Sequence, residues 1–240
     1  MIDVRPFKTL GRFQNEWLNA HYHFSFANYM DPTRTGIGPL LVWNDDEIQA
    51  GGGFPMHGHR DMEIITYVRY GAIAHEDHLS NKGKTPAGNI QVMTAGKGIL
   101  HSEYNHEAEI TGLYQIWIQP SERNLTPHWD QKTFSKEDYK GGFLPLASGE
   151  KKYADALRIN QDATLYGTHL LDGEEITQQI EKQRLGYLVV SSGAIELNGH
   201  HLGQRDGAVI ANEDILNIKA VGAAELIFAD LPDTAETNTI

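Results

Sequence analysis

The sequence predicts an all-β fold in two halves, and three observations carry that expectation. Strand-like segments rich in β-branched and aromatic residues recur from end to end, separated by glycine- and proline-containing turns. Glycine is abundant, 24 of 240 residues, as many tight turns require. The stretch Tyr67-Val-Arg-Tyr-Gly71-Ala-Ile73 is echoed by Leu188-Val-Val-Ser-Ser-Gly193-Ala-Ile195, with 122 residues between the two glycines. A repeated Gly-Ala-Ile within a shared strand cadence points to a duplicated barrel.

Taken in order, residues 1–35 are aromatic-rich (Trp17, Phe24, Phe26, Tyr29) and read as a lid or strap packed on a sheet. Strands are expected at Leu40–Trp43, Glu63–Arg69, Ala72–His75, Asn89–Met93 and Leu113–Ile118. From Gln119 to Gly149 the chain turns polar and weakly periodic, the texture of a connector, with one short helical turn near Ser135–Tyr139. Strand texture resumes at Ala156–Ile159, Thr164–His169, Leu185–Val190, Ala194–Leu197, Ala208–Ile210, Ile215–Lys219 and Ala224–Ala229. Asn198-Gly199 signals a two-residue hairpin turn. The expected organisation is a first barrel at 1–119, a connector at 120–150, a second barrel at 151–232 and a frayed tail at 233–240.

Composition narrows the chemistry. The chain has no cysteine, so thiolate metal sites, disulfides and cysteine nucleophiles are excluded. A formal net charge of -12 disfavours binding to nucleic acid or anionic membranes, both of which are held through cationic side chains. The N-terminal residues lack the apolar segment of a signal peptide. No run approaches the roughly 20 apolar residues of a membrane helix. The expectation is a soluble, cytoplasmic monomer.

The chemistry concentrates in two pairs. His57-Gly-His59 precedes the apolar run Ile64–Val68, and His101-Ser-Glu103 follows some forty residues later at the same spacing. Alternate residues of a strand share a face, so each pair points one way. On facing strands the pairs would place three imidazoles and one carboxylate around a point. That set suits Fe, Mn, Cu, Ni or Zn and leaves positions open for water or substrate.

Around these pairs, Gly51-x5-His57-x-His59-x3-Glu63-x7-Gly71 and Gly88-x7-Gly96-x4-His101-x3-Asn105 resemble the two cupin motifs. Phe54-Pro-Met-His-Gly-His-Arg60, Met93-Thr-Ala-Gly-Lys-Gly-Ile-Leu-His101-Ser-Glu103 and the N-terminal Trp17 with His23-Phe-Ser-Phe-Ala27 resemble the pirin branch. The resemblance implies a bicupin with one divalent ion held by His57, His59, His101 and Glu103 in the first barrel. Fe2+ is the first expectation, with Mn2+, Ni2+, Cu2+, Co2+ or Zn2+ as substitutes. It implies that Glu63 stands behind the ligands as support, and that the second barrel is metal-free. It further implies a quercetin 2,3-dioxygenase activity, with a flavonol and O2 as substrates and Glu103 as proton acceptor. A metal-binding, redox-responsive regulatory protein is the alternative, and a cupin isomerase a third reading.

Phe54, Met56, Met93 and Ile99 are expected to line an aromatic pocket or to be ordinary core. Outside the pairs, His21-x-His23 reads as packing or a lid over the site mouth, and His75–His78 as a solvated loop, with a weak second metal site as the alternative. His200-His201 reads as exposed, His106 as facing water or orienting Glu103, and Asp45-Asp-Glu47 as a charged turn.

Overall fold

The computed structural model describes residues 1–134, 136–139 and 142–233. Ser135 and the tail beyond Asp233 lie outside the described residues, so the expected fraying of that tail does too. The chain forms β1 (Ile2–Arg5), β2 (Gly11–Gln14), β3 (Leu18–Tyr22), β4 (Leu40–Ile48), β5 (Gly53–His59) and β6 (Glu63–Tyr70). Next come β7 (Ala72–Asp77), β8 (Lys82–Pro86), β9 (Ile90–Thr94), β10 (Ile99–Tyr104), β11 (Thr111–Ile118) and β12 (His128–Lys132). A 3-10 turn at Lys136–Tyr139 precedes β13 (Leu144–Ser148), β14 (Leu157–Arg158), β15 (Thr164–Leu170), β16 (Glu175–Gln179) and β17 (Arg184–Ser192). The last are β18 (Ile195–Leu197), β19 (His200–Leu202), β20 (Gly207–Ala211), β21 (Ile215–Ala220) and β22 (Ala224–Pro232). Among the described residues no helix is long and apolar enough to cross a membrane.

Four sheets result, two per half. The first half has a seven-stranded sheet, β12-β9-β6-β11-β4-β3-β2, and a four-stranded sheet, β5-β10-β7-β8. The second has β1-β20-β17-β22-β15-β13-β14 and β16-β21-β18-β19. The central order β9-β6-β11-β4 recurs as β20-β17-β22-β15 and the small sheets match strand for strand, while the flanking strands differ; the fold is a bicupin. The chain's first strand closes the second half: Ile2–Arg5 pairs antiparallel with β20, Ile2 opposite Ile210. The strap is therefore divided. Strand β1 serves the second half, while β2 and β3 extend the large sheet of the first.

The strand period explains where the core sits. On β6, Ile65 and Tyr67 face the second half and pack with Trp43, Tyr114, Leu165, Tyr187 and Ile227 in one buried cluster shared by the two large sheets. The interior of the second half is aliphatic, with Leu188, Leu197, Leu216 and Ile218. The first half holds smaller apolar clusters, around Ile48, Val68 and Leu113 and around Ile64, Met93 and Ile99.

The expected charged turn at Asp45–Glu47 is instead part of β4, with Asp45 and Asp46 buried. Asp45 can be buried because Arg69 and Arg205 both meet it, Arg205 Nε at 2.6 Å from Oδ2. Arg205 also reaches Glu47 at 2.9 Å, so this ion cluster ties the two halves together. A buried charge needs such partners to be tolerated. His23 is buried between the halves, its Nδ1 2.7 Å from the Tyr187 hydroxyl, and His21 lies against Phe7, so both are packing residues. Asn198-Gly199 makes the expected hairpin turn between β18 and β19.

Candidate metal centre

Strands β5 and β10 are antiparallel neighbours in the small sheet, with His57 opposite His101 and His59 opposite Ile99. The two pairs thus sit side by side on one sheet rather than across the barrel. The three rings converge, with centroids 4.4 Å apart for His57–His101, 4.7 Å for His57–His59 and 5.0 Å for His59–His101. One nitrogen from each of these imidazoles lies within 4.8 Å of the others.

Between His101 and Glu103 the pairing with β5 slips by one residue, so Glu103 lies opposite Phe54. Its carboxylate groups within 4.8 Å with His101 and His75 rather than with His57 and His59. Three donors from the facing large sheet hold it there. Gln91 Nε2 donates to Oε1 at 2.7 Å, Thr66 Oγ1 donates to the same oxygen at 3.3 Å, and Gln115 Nε2 donates to Oε2. The register shows why these three meet one carboxylate: Gln91 lies opposite Thr66, and Thr66 opposite Gln115. They form a polar row across three strands. Sequence reading passed over them, although each is a polar residue interrupting an apolar strand, a pattern that marks an inward polar position.

The donor set suits a cation. His57 Nδ1 donates to Pro55 O at 2.7 Å, which fixes the tautomer and leaves Nε2 with its lone pair. Both ring nitrogens of buried His101 lack a hydrogen-bond partner among the described residues. An orphaned buried imidazole is costly unless something else satisfies it. Burial, with His57 next, lowers the His59 pKa to about 4. Burial, followed by His57, His59 and His75, lowers that of His101 to about 2. Both rings are therefore neutral at pH 7, the form that ligates metal. Burial raises Glu103 to about 7, opposed by its three hydrogen bonds.

Three expectations are corrected here. Glu63 does not back the ligands: it is one position out of phase with Thr66, and its oxygens accept from Thr94 at 2.8 Å and Asn160 at 3.2 Å, at the junction of the halves. His75 is not in a solvated loop; it is buried on β7, stacked on Trp129 at 4.9 Å, with Asp77 Oδ2 3.5 Å from Nε2. Of the four apolar residues expected at the pocket or in the core, Phe54 lines the pocket and only one departs from both. Met56 is exposed, while Met93 and Ile99 belong to the core. His106 stacks on Tyr104 and is exposed, as are His200 and His201.

A cavity of about 530 Å³ opens onto His57, His59 and Gln115. Its walls are Phe13, Tyr22, Phe26, Tyr29, Phe54 and Trp117, so the strap supplies much of the lining. His101 and Glu103, each 1% exposed, lie behind these lining residues. The site offers cation ligands on one side and flat aromatic surfaces on the other.

Comparison with known proteins agrees. Residues 3–118 match the Pirin family model, and residues 146–231 match the model for the quercetinase C-terminal cupin domain. A pirin-like protein of Caulobacter vibrioides is 52% identical, covering 96% of this chain and 99% of its own length. The quercetin 2,3-dioxygenase of Escherichia coli is 40% identical, covering 97% of this chain and 99% of its own. The crystal structure of a bacterial pirin of Escherichia coli in complex with nickel(II) superposes with a TM-score of 0.91 at 40% identity, covering 97% of this chain and 99% of that one. With both halves matched and relatives aligned over nearly their whole length, this chain belongs to the pirin family.

Proposed function

We propose that the chain is a metal-dependent dioxygenase of the quercetin 2,3-dioxygenase type, with His57, His59, His101 and Glu103 as the ligands of one divalent ion. The observation that carries this reading is the convergence of three imidazoles, two of them held neutral, at an aromatic-walled cavity. The relatives named for quercetin and the nickel complex support it. The bound ion would act as a Lewis acid, lowering the pKa of the flavonol 3-hydroxyl.

The protein's own residues do the rest. Aromatic walls hold the flat rings and exclude water. Neutral imidazoles keep the ion bound near pH 7. Glu103 is the group assigned to take the substrate's hydroxyl proton. Gln91, Thr66 and Gln115 fix the carboxylate as it changes charge. In the net reaction both atoms of O2 enter a ring-opened ester, and one ring carbon leaves as carbon monoxide.

The test is to load purified protein with Fe2+, Mn2+, Ni2+, Cu2+ and Co2+ in turn and to follow O2 uptake and carbon monoxide release with quercetin. Equimolar O2 consumption and carbon monoxide release is the expected result. No turnover with any of the five ions would sink the dioxygenase reading in favour of a metal-binding regulatory protein.

A further inference from the structure

The polar row that grips Glu103 continues past Gln115. The next residue across the sheet is Asn44, opposite Gln115, and beyond it Tyr22, opposite Asn44. Asp46 is two residues along the same face of β4, opposite Leu113 on one side and Ala20 on the other. Ala20 offers no hydrogen-bonding group to the carboxyl it lies opposite. Asn44 and Asp46 are 4% and 2% exposed, and both line the cavity. The Oδ1 of each has no hydrogen-bond partner among the described residues.

The same strand shows that this is not a general shortage of partners. Asp45 and Glu47, on the opposite face, are satisfied by Arg69 and Arg205. Arg12, the cation in the cavity lining, donates to Gln14 instead. Two buried acceptors without partners, on residues that line a cavity, are costly unless a ligand supplies donors. The donor is better a neutral hydroxyl than an ammonium, because burial, and next the Asp45 carboxylate, push Asp46 well above the usual carboxyl range.

We propose that Asn44 and Asp46 are a hydroxyl-recognition site, which selects planar polyphenols bearing free ring hydroxyls in addition to the one directed at the metal. This deepens the flavonol reading above and rests on it. The aromatic walls hold any flat ring system; the two unpartnered oxygens discriminate by accepting hydrogen bonds. A site built to bind a hydroxyl rejects the analogue that lacks it far more strongly than an apolar wall could.

The experiment measures calorimetric binding of quercetin and of 3-hydroxyflavone, which lacks the other ring hydroxyls, to the Ni2+-loaded protein without O2. The wild type, Asp46→Leu, Asn44→Leu and Asp46→Asn are compared. The expected result is a Kd for quercetin at least tenfold weaker in each leucine variant, with the loss for 3-hydroxyflavone at least fivefold smaller. Asp46→Asn, which keeps an acceptor in place, is expected within threefold of wild type for quercetin. Equal losses for both ligands, or no loss for quercetin, would overturn the proposal. If Asp46→Leu does not fold, Asn44→Leu decides it. Turnover in air separates the two readings. Selective loss without turnover in any sample defeats the dioxygenase alone, whereas turnover with unselective loss defeats the hydroxyl site alone. Failure of the wild type to bind either ligand overturns both.

Discussion

The two small sheets, β5-β10-β7-β8 and β16-β21-β18-β19, share one topology and line their barrels with opposite chemistry. In the first, the inward ladder pair is His57–His101, with His75 and Glu103 beside it. In the second, the corresponding ladder carries Ile176 opposite Ile218, and the wall is completed by Ile195, Leu197, Leu202 and Leu216. An aliphatic lining thus suffices to build this barrel. The imidazoles of the first are not needed for the architecture, and as buried polar groups they work against it. What they offer is a set of groups that could hold a metal ion.

The largest effect is expected on metal binding. His101→Ala or His59→Ala should lose the metal while the metal-free protein keeps its circular dichroism and a Tm close to wild type. His101→Ala deletes two unpartnered nitrogens along with the ring, which limits the stability cost. Full occupancy by elemental analysis in either variant would remove that residue from the ligand set.

The reciprocal change belongs to the second barrel. Leu216 is fully buried among Ile195, Leu197 and Ile218. Leu216→Ala should cost about 2–5 kcal/mol by opening a cavity, while metal stoichiometry stays unchanged. Denaturant titration checks the first part and elemental analysis the second. A loss of metal in this variant would mean that the halves are not chemically separate.

Where the halves share a device, they should respond alike. Gly71 and Gly193, the glycines of the repeated Gly-Ala-Ile, turn β6 into β7 and β17 into β18 with φ of 76° and 78°. An added Cβ would stand 2.4 Å from Thr111 Oγ1 in one and 2.1 Å from the Ala223 carbonyl oxygen in the other. The left-handed backbone alone costs an L-residue roughly 1–2 kcal/mol, and the clash adds to it. Alanine at either position should therefore destabilise by about 2 kcal/mol or more. A variant that matches wild type in denaturant would show its turn to be adaptable.

These glycines also show how far the sequence can be read. The Gly-Ala-Ile echo located equivalent turns because positive φ with no room for a side chain demands glycine in both copies. The longer strands β6, β11, β17 and β22, and the first half of β4, were legible as apolar runs that set their own period. Short polar strands were not: β8 was not expected and β12 fell in the expected connector, because pairing, not composition, makes them strands. The echo also misplaced one comparison. Its offset set Gln179 against His57, but Gln179 is exposed and paired with Ile215, and the inward residues are Ile176 and Gln178. A slip of one residue in a strand exchanges the two faces. Likewise Glu63, placed near the site by spacing alone, faces away because it is odd-numbered on a strand whose inward residues are even. Gln91, Thr66 and Gln115 escaped notice because each comes from a different strand, and only the register aligns them.

The smallest effect, and the one most specific to Glu103, is on pH. With His59 and His101 neutral, the group among these that must release a proton near pH 7 to hold a cation is Glu103. Its ionised fraction rises about tenfold between pH 6 and pH 8 for a pKa near 7. Metal affinity should therefore climb by about that factor more in wild type than in Glu103→Gln, which has no proton to lose. Calorimetric titrations at the two pH values give the comparison. Stability of the metal-free protein should show the opposite sign. A carboxyl raised from 4.5 to about 7 binds more proton folded than unfolded across that window. Its ionisation therefore erodes stability as pH rises from about 4.5 to 7. His59 and His101, lowered in the folded state, act in the other direction, adding stability as pH rises toward 6.5 from about 4 and about 2 respectively. The difference between wild type and Glu103→Gln cancels those imidazoles and isolates the carboxyl. If the two proteins show parallel affinity curves, Glu103 does not ionise on metal binding, and the site is a three-histidine centre with the carboxyl as a bystander.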